Sequence, residues 1–204
     1  MDSRQPEQTR RSSEQSDGPM ISLATLSIKG AGESAHMADL AEAIVIALGS
    51  FDRFRVTLHR PAQTELGLTR RVRRAADIGA ITLGEGDDAS IFAIKETSAR
   101  PLPRVAEPHL PALTQLVLRD DGAEIDIPDP QLALRYAIAM SRMMLERTVG
   151  KLRWQIAELK LIQSLAVGRL TTSLDIRLAG RFWKVGLYNQ GVRVGHLIAA
   201  SKLV

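Results

Sequence analysis

The sequence predicts an α+β protein: a strand–helix–strand N-terminal unit followed by hairpins, then a C-terminal half in which one long helix, with Gly150 as its breaking point, is flanked by antiparallel strands. Three observations predict it. Apolar residues recur at helical spacing from about 34 to 48 and again from 130 to 167. They alternate at 54–58, 174–178 and 182–199. Turn residues, Asp120-Asp121-Gly122 and Asn189-Gln190-Gly191, stand between strand-like runs.

Taken in order, residues 1–19 carry no aliphatic or aromatic side chain beyond Met1 and are expected to form a disordered tail, because nothing there offsets the entropy of ordering. Ile21, Leu23, Leu26 and Ile28 read as a strand ended by Gly30 and Gly32. Ser34 is a natural N-cap for a helix whose buried stripe is Met37, Leu40, Ala41, Ile44, Val45 and Leu48, with Gly49 as its stop. Phe54, Val56 and Leu58 then alternate with Arg55, Thr57 and His59, a half-buried strand. A short helix is expected at 66–77 on the spacing of Leu68, Val72 and Ala75, and a hairpin at 78–83 and 90–95. Pro101, Pro103, Pro108 and Pro111 mark a linker or strap over 97–112. The domains expected are therefore 20–96 and 113–204. In the second, a hairpin precedes Asp129-Pro130, an N-cap followed by proline at the first helical position. The halves show no internal repeat in sequence.

A chain of 204 residues, 45% hydrophobic, can bury a core without staples. The absence of cysteine excludes disulfides, thiol nucleophiles and thiolate metal sites, and it points to a reducing compartment, expected to be the cytoplasm. No apolar run approaches the roughly 20 residues of a membrane helix, so no membrane partner is expected.

The net charge of +4 is unevenly placed. Residues 1–60 contribute −1, 61–129 contribute −4 and 130–204 contribute +9, with twelve cations against Glu146, Glu158 and Asp175. A field of one sign favours anionic partners. Arg70, Arg71, Arg73 and Arg74 form a further cluster. With only eight aromatic residues, a base-stacking platform is not expected.

A continuous helix over 130–167 would span about 57 Å at ~1.5 Å per residue, longer than the roughly 43 Å diameter of a compact chain of this size. It must break at Gly150 or project toward a partner. Ile138, Leu145, Leu152 and Leu159 recur every seven residues, with Val149 and Ile156 beside them, as an interhelical seam would.

Motifs of catalysis are sparse. Gly30-Ala31-Gly32-Glu33-Ser34-Ala35 satisfies the dinucleotide pattern, but Glu33 would face the pyrophosphate and no succession of βαβ units follows. His36, His59, His109 and His196 are scattered, with no pair at metal-ligand spacing. Oxygen clusters at Glu85, Asp87 and Asp88, at Asp120 and Asp121, and at Glu124 and Asp126 fit turns and a solvated strand face.

The sequence thus predicts a non-catalytic binding and assembly protein. It would associate with itself through Ile138, Leu145, Val149, Leu152, Ile156 and Leu159. It would offer Arg70, Arg71, Arg73, Arg74, Arg147, Arg153, Lys160, Arg181, Lys184 and Arg193 to nucleic acid or an acidic protein. A structural subunit of a larger homomeric assembly ranks second, and a nucleotide-using enzyme built on Gly30–Ala35 ranks third. No cofactor and no metal are expected.

Overall fold

The computed structural model describes residues 20–22, 37, 40–44, 47, 53–59, 64–70, 77–101, 113, 115–129, 132–150, 153–178 and 181–202. The expected tail at 1–19, the Gly30–Ala35 turn, Arg71, Arg73, Arg74, Leu152, His36 and His109 lie outside these residues.

Eleven strands form one antiparallel sheet. They are β1 (Met20–Ser22), β2 (Phe54–Leu58), β3 (Thr64–Arg70), β4 (Gly79–Leu83), β5 (Ser90–Pro101), β6 (Val117–Leu118), β7 (Gly122–Ile127), β8 (Arg153–Leu161), β9 (Gly168–Leu178), β10 (Phe182–Asn189) and β11 (Val192–Lys202). Their order across the sheet is β1-β3-β5-β4-β2-β8-β11-β10-β9-β7-β6. The helix α1 (Ala133–Thr148) packs on β7 and β9, and residues 37, 40–44 and 47 are also helical.

Alternation decides which side of the sheet is the core. Phe54, Val56 and Leu58 on β2, Ile156, Leu159 and Leu161 on β8, and Trp183, Val185 and Leu187 on β10 are buried, and they join Met37, Leu40 and Ile44 and the α1 residues Ala137, Ile138, Met140, Met144 and Leu145 in one cluster. Each fully buried Leu or Ile contributes about 1.5–3 kcal/mol relative to exposure, so this shared cluster is the main force holding the sheet to its helices. A bidentate ion pair adds to it: Arg135 on α1 donates from Nε and Nη2 to the two carboxylate oxygens of Glu42, both at 2.5 Å.

The sheet falls into two halves that meet where β2 pairs antiparallel with β8. Each half runs strand, helix, central strand, then three more strands, and the second has the short β6 in addition before its helix. Outward from the middle the first half is β2, β4, β5, β3, β1 and the second is β8, β11, β10, β9, β7, β6. A two-fold rotation between β2 and β8 exchanges Arg55 with Glu158 and Thr57 with Lys160, because the register pairs Arg55 with Lys160 and Thr57 with Glu158. The neighbouring strands repeat the relation: Thr57 pairs with Ala80 as Lys160 pairs with His196, and Arg55 pairs with Thr82 as Glu158 pairs with Ile198. Backbone contact repeats too. A Cβ on Gly79 would fall 2.2 Å from the Thr57 carbonyl oxygen, and one on Gly195 would fall 2.2 Å from that of Lys160, so each half needs glycine at the same point. The halves differ in wiring. In the second, β9, β10 and β11 are successive neighbours, whereas in the first β5 lies between β3 and β4.

These observations correct the expected fold class. The molecule is one large antiparallel sheet with helices against it, not a pair of α+β units around a long helix. The helix stops at Thr148; Gly150 at φ 116° turns the chain, and β8 follows. Residues 64–70 form strand β3 where a helix was expected. Among the described residues no helix is long and apolar enough to cross a membrane.

Candidate functional site at the seam of the sheet

The face of the sheet turned away from the core carries the polar side chains of the central strands. Residues opposite one another on paired strands share a face, with Cβ atoms about 5 Å apart. The register therefore lays Arg55 of β2, Lys160 of β8, His196 of β11, Gly186 of β10 and Ser173 of β9 in one row. Glu158 sits diagonally between them.

Glu158 is the hub. One of its oxygens accepts a hydrogen bond from Arg55 Nη2 at 2.5 Å, and the other lies 3.1 Å from His196 Nε2. The Glu158 side chain is only 9% exposed and that of His196 15%, whereas Arg55 reaches solvent at 52%. Burial pushes the Glu158 carboxyl up, but the hydrogen bonds from His196 and Arg55 together with the charge of Arg55 outweigh it and hold the carboxyl below its ordinary value of 4.5. An ionised carboxylate only accepts. Nε2 of His196 is therefore the donor in this contact, and Nδ1 has no hydrogen-bond partner among the described residues.

Beyond His196 the row is open at Gly186, and two flexible side chains lean into the gap. A Cβ there would meet Asp175 Oδ1 at 2.7 Å and Tyr188 Cε2 at 2.9 Å. Asp175 accepts from Ser173 Oγ at 3.0 Å and from Arg193 Nη2 at 2.6 Å, and the Arg193 guanidinium lies 5.8 Å from the Tyr188 ring centre.

Two depressions flank the Arg55–Glu158 pair. One, of about 480 Å³, is lined by Thr57, Leu58, His59, Ala157, Glu158, Phe182, Ile198 and Ala200. The other, of about 320 Å³, is lined by Arg53, Phe54, Arg55, Thr82, Gly84, Glu85, Gly86, Ala89, Lys160 and Leu161. The two-fold relation maps one onto the other: Glu158, Thr57, Leu58 and Ile198 occupy in the first the places of Arg55, Lys160, Leu161 and Thr82 in the second. The first is mainly apolar around one carboxylate, and the second is cationic.

The sequence-predicted residues are dispersed. Ile138 and Leu145 are buried on α1, Val149 caps that helix, and Ile156 and Leu159 point inward from β8. They belong to the molecule's own core, with Val149 packed against it, and form no interhelical seam. Arg70 ends β3, Arg153 begins β8, Arg181 stands in the turn before β10, and Lys184 lies on β10. Arg147 is 3.9 Å from Asp120, Lys160 is 3.7 Å from Glu85, and Arg193 pairs with Asp175. Lys160 lines the cationic depression. Glu158, His196 and Arg55 share no motif in the sequence that groups them. Glu158 and His196 lie 38 positions apart, and only the β8–β11 pairing brings them together. No three His, Asp or Glu side chains among the described residues are grouped as metal ligands.

No family model matches the chain, and no curated protein matches it. Solved structures similar to it include a protein described as having a hot dog fold from Alicyclobacillus acidocaldarius (9% identity, 81% of this chain and 86% of that one, TM-score 0.44). A bifunctional dehydratase-cyclase domain of ambruticin biosynthesis is similar at 15% identity, over 90% of each chain, with TM-score 0.43. An acyl-ACP thioesterase from Bacteroides thetaiotaomicron is similar at 11% identity, over 74% and 75%, with TM-score 0.36.

The chain's own fold corrects the expected function. The helical rod that was to carry self-association ends at Thr148, and its presumed continuation is a strand in the sheet. Six of the twelve cations of the last third pair with the molecule's own acids. Arg135 pairs with Glu42, Arg142 with Glu146, Arg169 with Glu124 and Asp126, and Arg147, Lys160 and Arg193 as above. The basic surface offered to nucleic acid, and the assembly built on it, do not stand.

Proposed function

We propose that the outer face of the central strands is an acid–base site for a small molecule, with His196 as the proton-transfer group and Glu158 as the residue that orients it. The observation that supports this most strongly is the 3.1 Å contact between His196 Nε2 and a nearly buried carboxylate whose second oxygen is held by Arg55. A carboxylate in that position fixes the tautomer and the ring orientation of the imidazole and stabilises it once it has taken a proton. The apolar depression beside Glu158, walled by Leu58, Phe182, Ile198 and Ala200, is where the non-polar part of such a ligand would lie.

Hydrolysis of p-nitrophenyl hexanoate, a neutral ester with an apolar chain, tests the reading. Positioned general acid–base groups contribute about 10²- to 10⁴-fold. The expected result is a rate above that of free imidazole that falls at least tenfold in both His196→Ala and Glu158→Gln. Full activity in His196→Ala would overturn it. If the triad serves only to tie β2, β8 and β11 together, His196→Ala lowers the melting temperature and leaves the ester rate unmoved.

A further inference from the structure

The cationic depression contains a carboxylate where a ligand would be expected. Arg53, Arg55 and Lys160 converge on it, and Glu85 reaches in between two of them. Glu85 Oε2 lies 3.2 Å from Arg53 Nη1, and its Oε1 lies 3.7 Å from Lys160 Nζ. Arg55 spends Nη2 on Glu158 and keeps the donors of its other nitrogens. Three cations around one shallow basin, against Glu85 within it and Glu158 on Arg55, leave one positive charge in excess and unused N–H donors.

Glu85 is also held loosely. It stands between Gly84 at φ +77° and Gly86 at φ +67°, in the turn from β4 to β5, and its side chain is 48% exposed. Backbone in the left-handed region on both sides requires glycine there and leaves little side-chain packing near the turn. Exposed ion pairs of this kind are weak. An external oxyanion with more acceptor oxygens and more charge than one carboxylate can bridge all three cations, with the bidentate geometry that guanidinium groups favour.

We propose that this depression is an oxyanion site for the phosphate group of a small molecule, and that Glu85 is an internal competitor that a phosphate displaces. The proposal goes beyond the acid–base reading and needs only Arg53, Arg55, Lys160 and the glycine-flanked turn. The two meet at Lys160, which is the cross-strand neighbour of both Arg55 and His196. A phosphate bound there would lie beside the imidazole.

Titration of the full chain with inorganic phosphate, followed calorimetrically at constant ionic strength with acetate as the parallel arm, tests it. The expected result is weak binding of phosphate to the wild type, about fivefold tighter binding to Glu85→Gln, and loss of binding in the double variant Arg53→Gln/Lys160→Gln. Circular dichroism confirms that the variants fold, and Arg53→Lys, which keeps the charge, should retain part of the affinity. Equal affinity of wild type and Glu85→Gln overturns the competitor role. Undiminished binding in the double variant overturns the site, and acetate binding as tightly as phosphate overturns the phosphate assignment. None of these outcomes touches the ester assay, so each reading can fail without the other.

Discussion

The two depressions beside the central strands occupy equivalent places under the same rotation, yet one is cationic and the other apolar around a carboxylate. Where the first half places Arg55, Thr82 and Ala80, the second places Glu158, Ile198 and His196. The backbone frame is shared down to the glycine beside each central strand, and the side chains on the outer face are not. Frame and chemistry are thus set by different residues. Inward positions such as Val56 and Leu159 serve the core that both halves share. Outward positions are free of that demand and carry opposite charge at Arg55 and Glu158.

The largest expected effect tests the shared frame. Gly79→Ala and Gly195→Ala each place a Cβ 2.2 Å from a backbone oxygen that cannot move aside without disturbing the central strands. Each should cost about 2–3 kcal/mol by overpacking, read as a drop in the urea midpoint. Equal losses support the equivalence of the halves, and a loss at one glycine alone breaks it. Next comes the divergence across the axis. Glu158→Ala strips a partner from both Arg55 and His196 and should cost about 2 kcal/mol. Arg55→Ala should cost about 1 kcal/mol, because the carboxylate keeps His196 and gains water. Matching losses from the two variants would contradict the hub role given to Glu158.

The smallest effect is a dependence on pH. The Glu158 carboxyl titrates lower in the folded chain than in the unfolded one. Its ionisation therefore contributes stability that is fully present above its ordinary value of 4.5 and is lost as pH falls through the folded value. Glu158→Gln should be less stable than the wild type at pH 7, with a gap that narrows as the pH drops below about 4.5. Urea melts at pH 7 and pH 3.5 measure that gap. A gap of constant size would show that the carboxylate is not held by charge.

Much of the strand pattern was legible. Phe54, Val56 and Leu58 alternate and are buried as expected. The hairpins on either side of Gly84–Ala89 and Asn189–Gly191 form where the turn residues put them, with Gln190 and Gly191 both at positive φ. The long helix was misread for a physical reason. β8 carries a bulge at Ala157, since Ile156 pairs with Ala199 and Glu158 with Ile198. Two inward residues, Ile156 and Leu159, are therefore three apart, the spacing a helix also gives. With Leu152 and Leu159 the seven-residue recurrence of Ile138 and Leu145 runs on in sequence past Gly150. At β3, Leu66 and Leu68 carry the alternation, but Gly67 between them weakens its signal.

The candidate site was not legible at all. Arg55, Glu158 and His196 come from three separate strands, and nothing local marks them as a group. The two-fold relation is equally silent in the sequence, because it survives as backbone contact at Gly79 and Gly195 and not as repeated side chains.

The opposite charges of Arg55 and Glu158 have a consequence for how the chain can pair. If two molecules exchanged halves so that a central strand met its own copy, the axis would set guanidinium against guanidinium or carboxylate against carboxylate. Only pairing of β2 with β8, within one chain or between two, brings unlike charges together, so this one contact discourages the pairing of like halves.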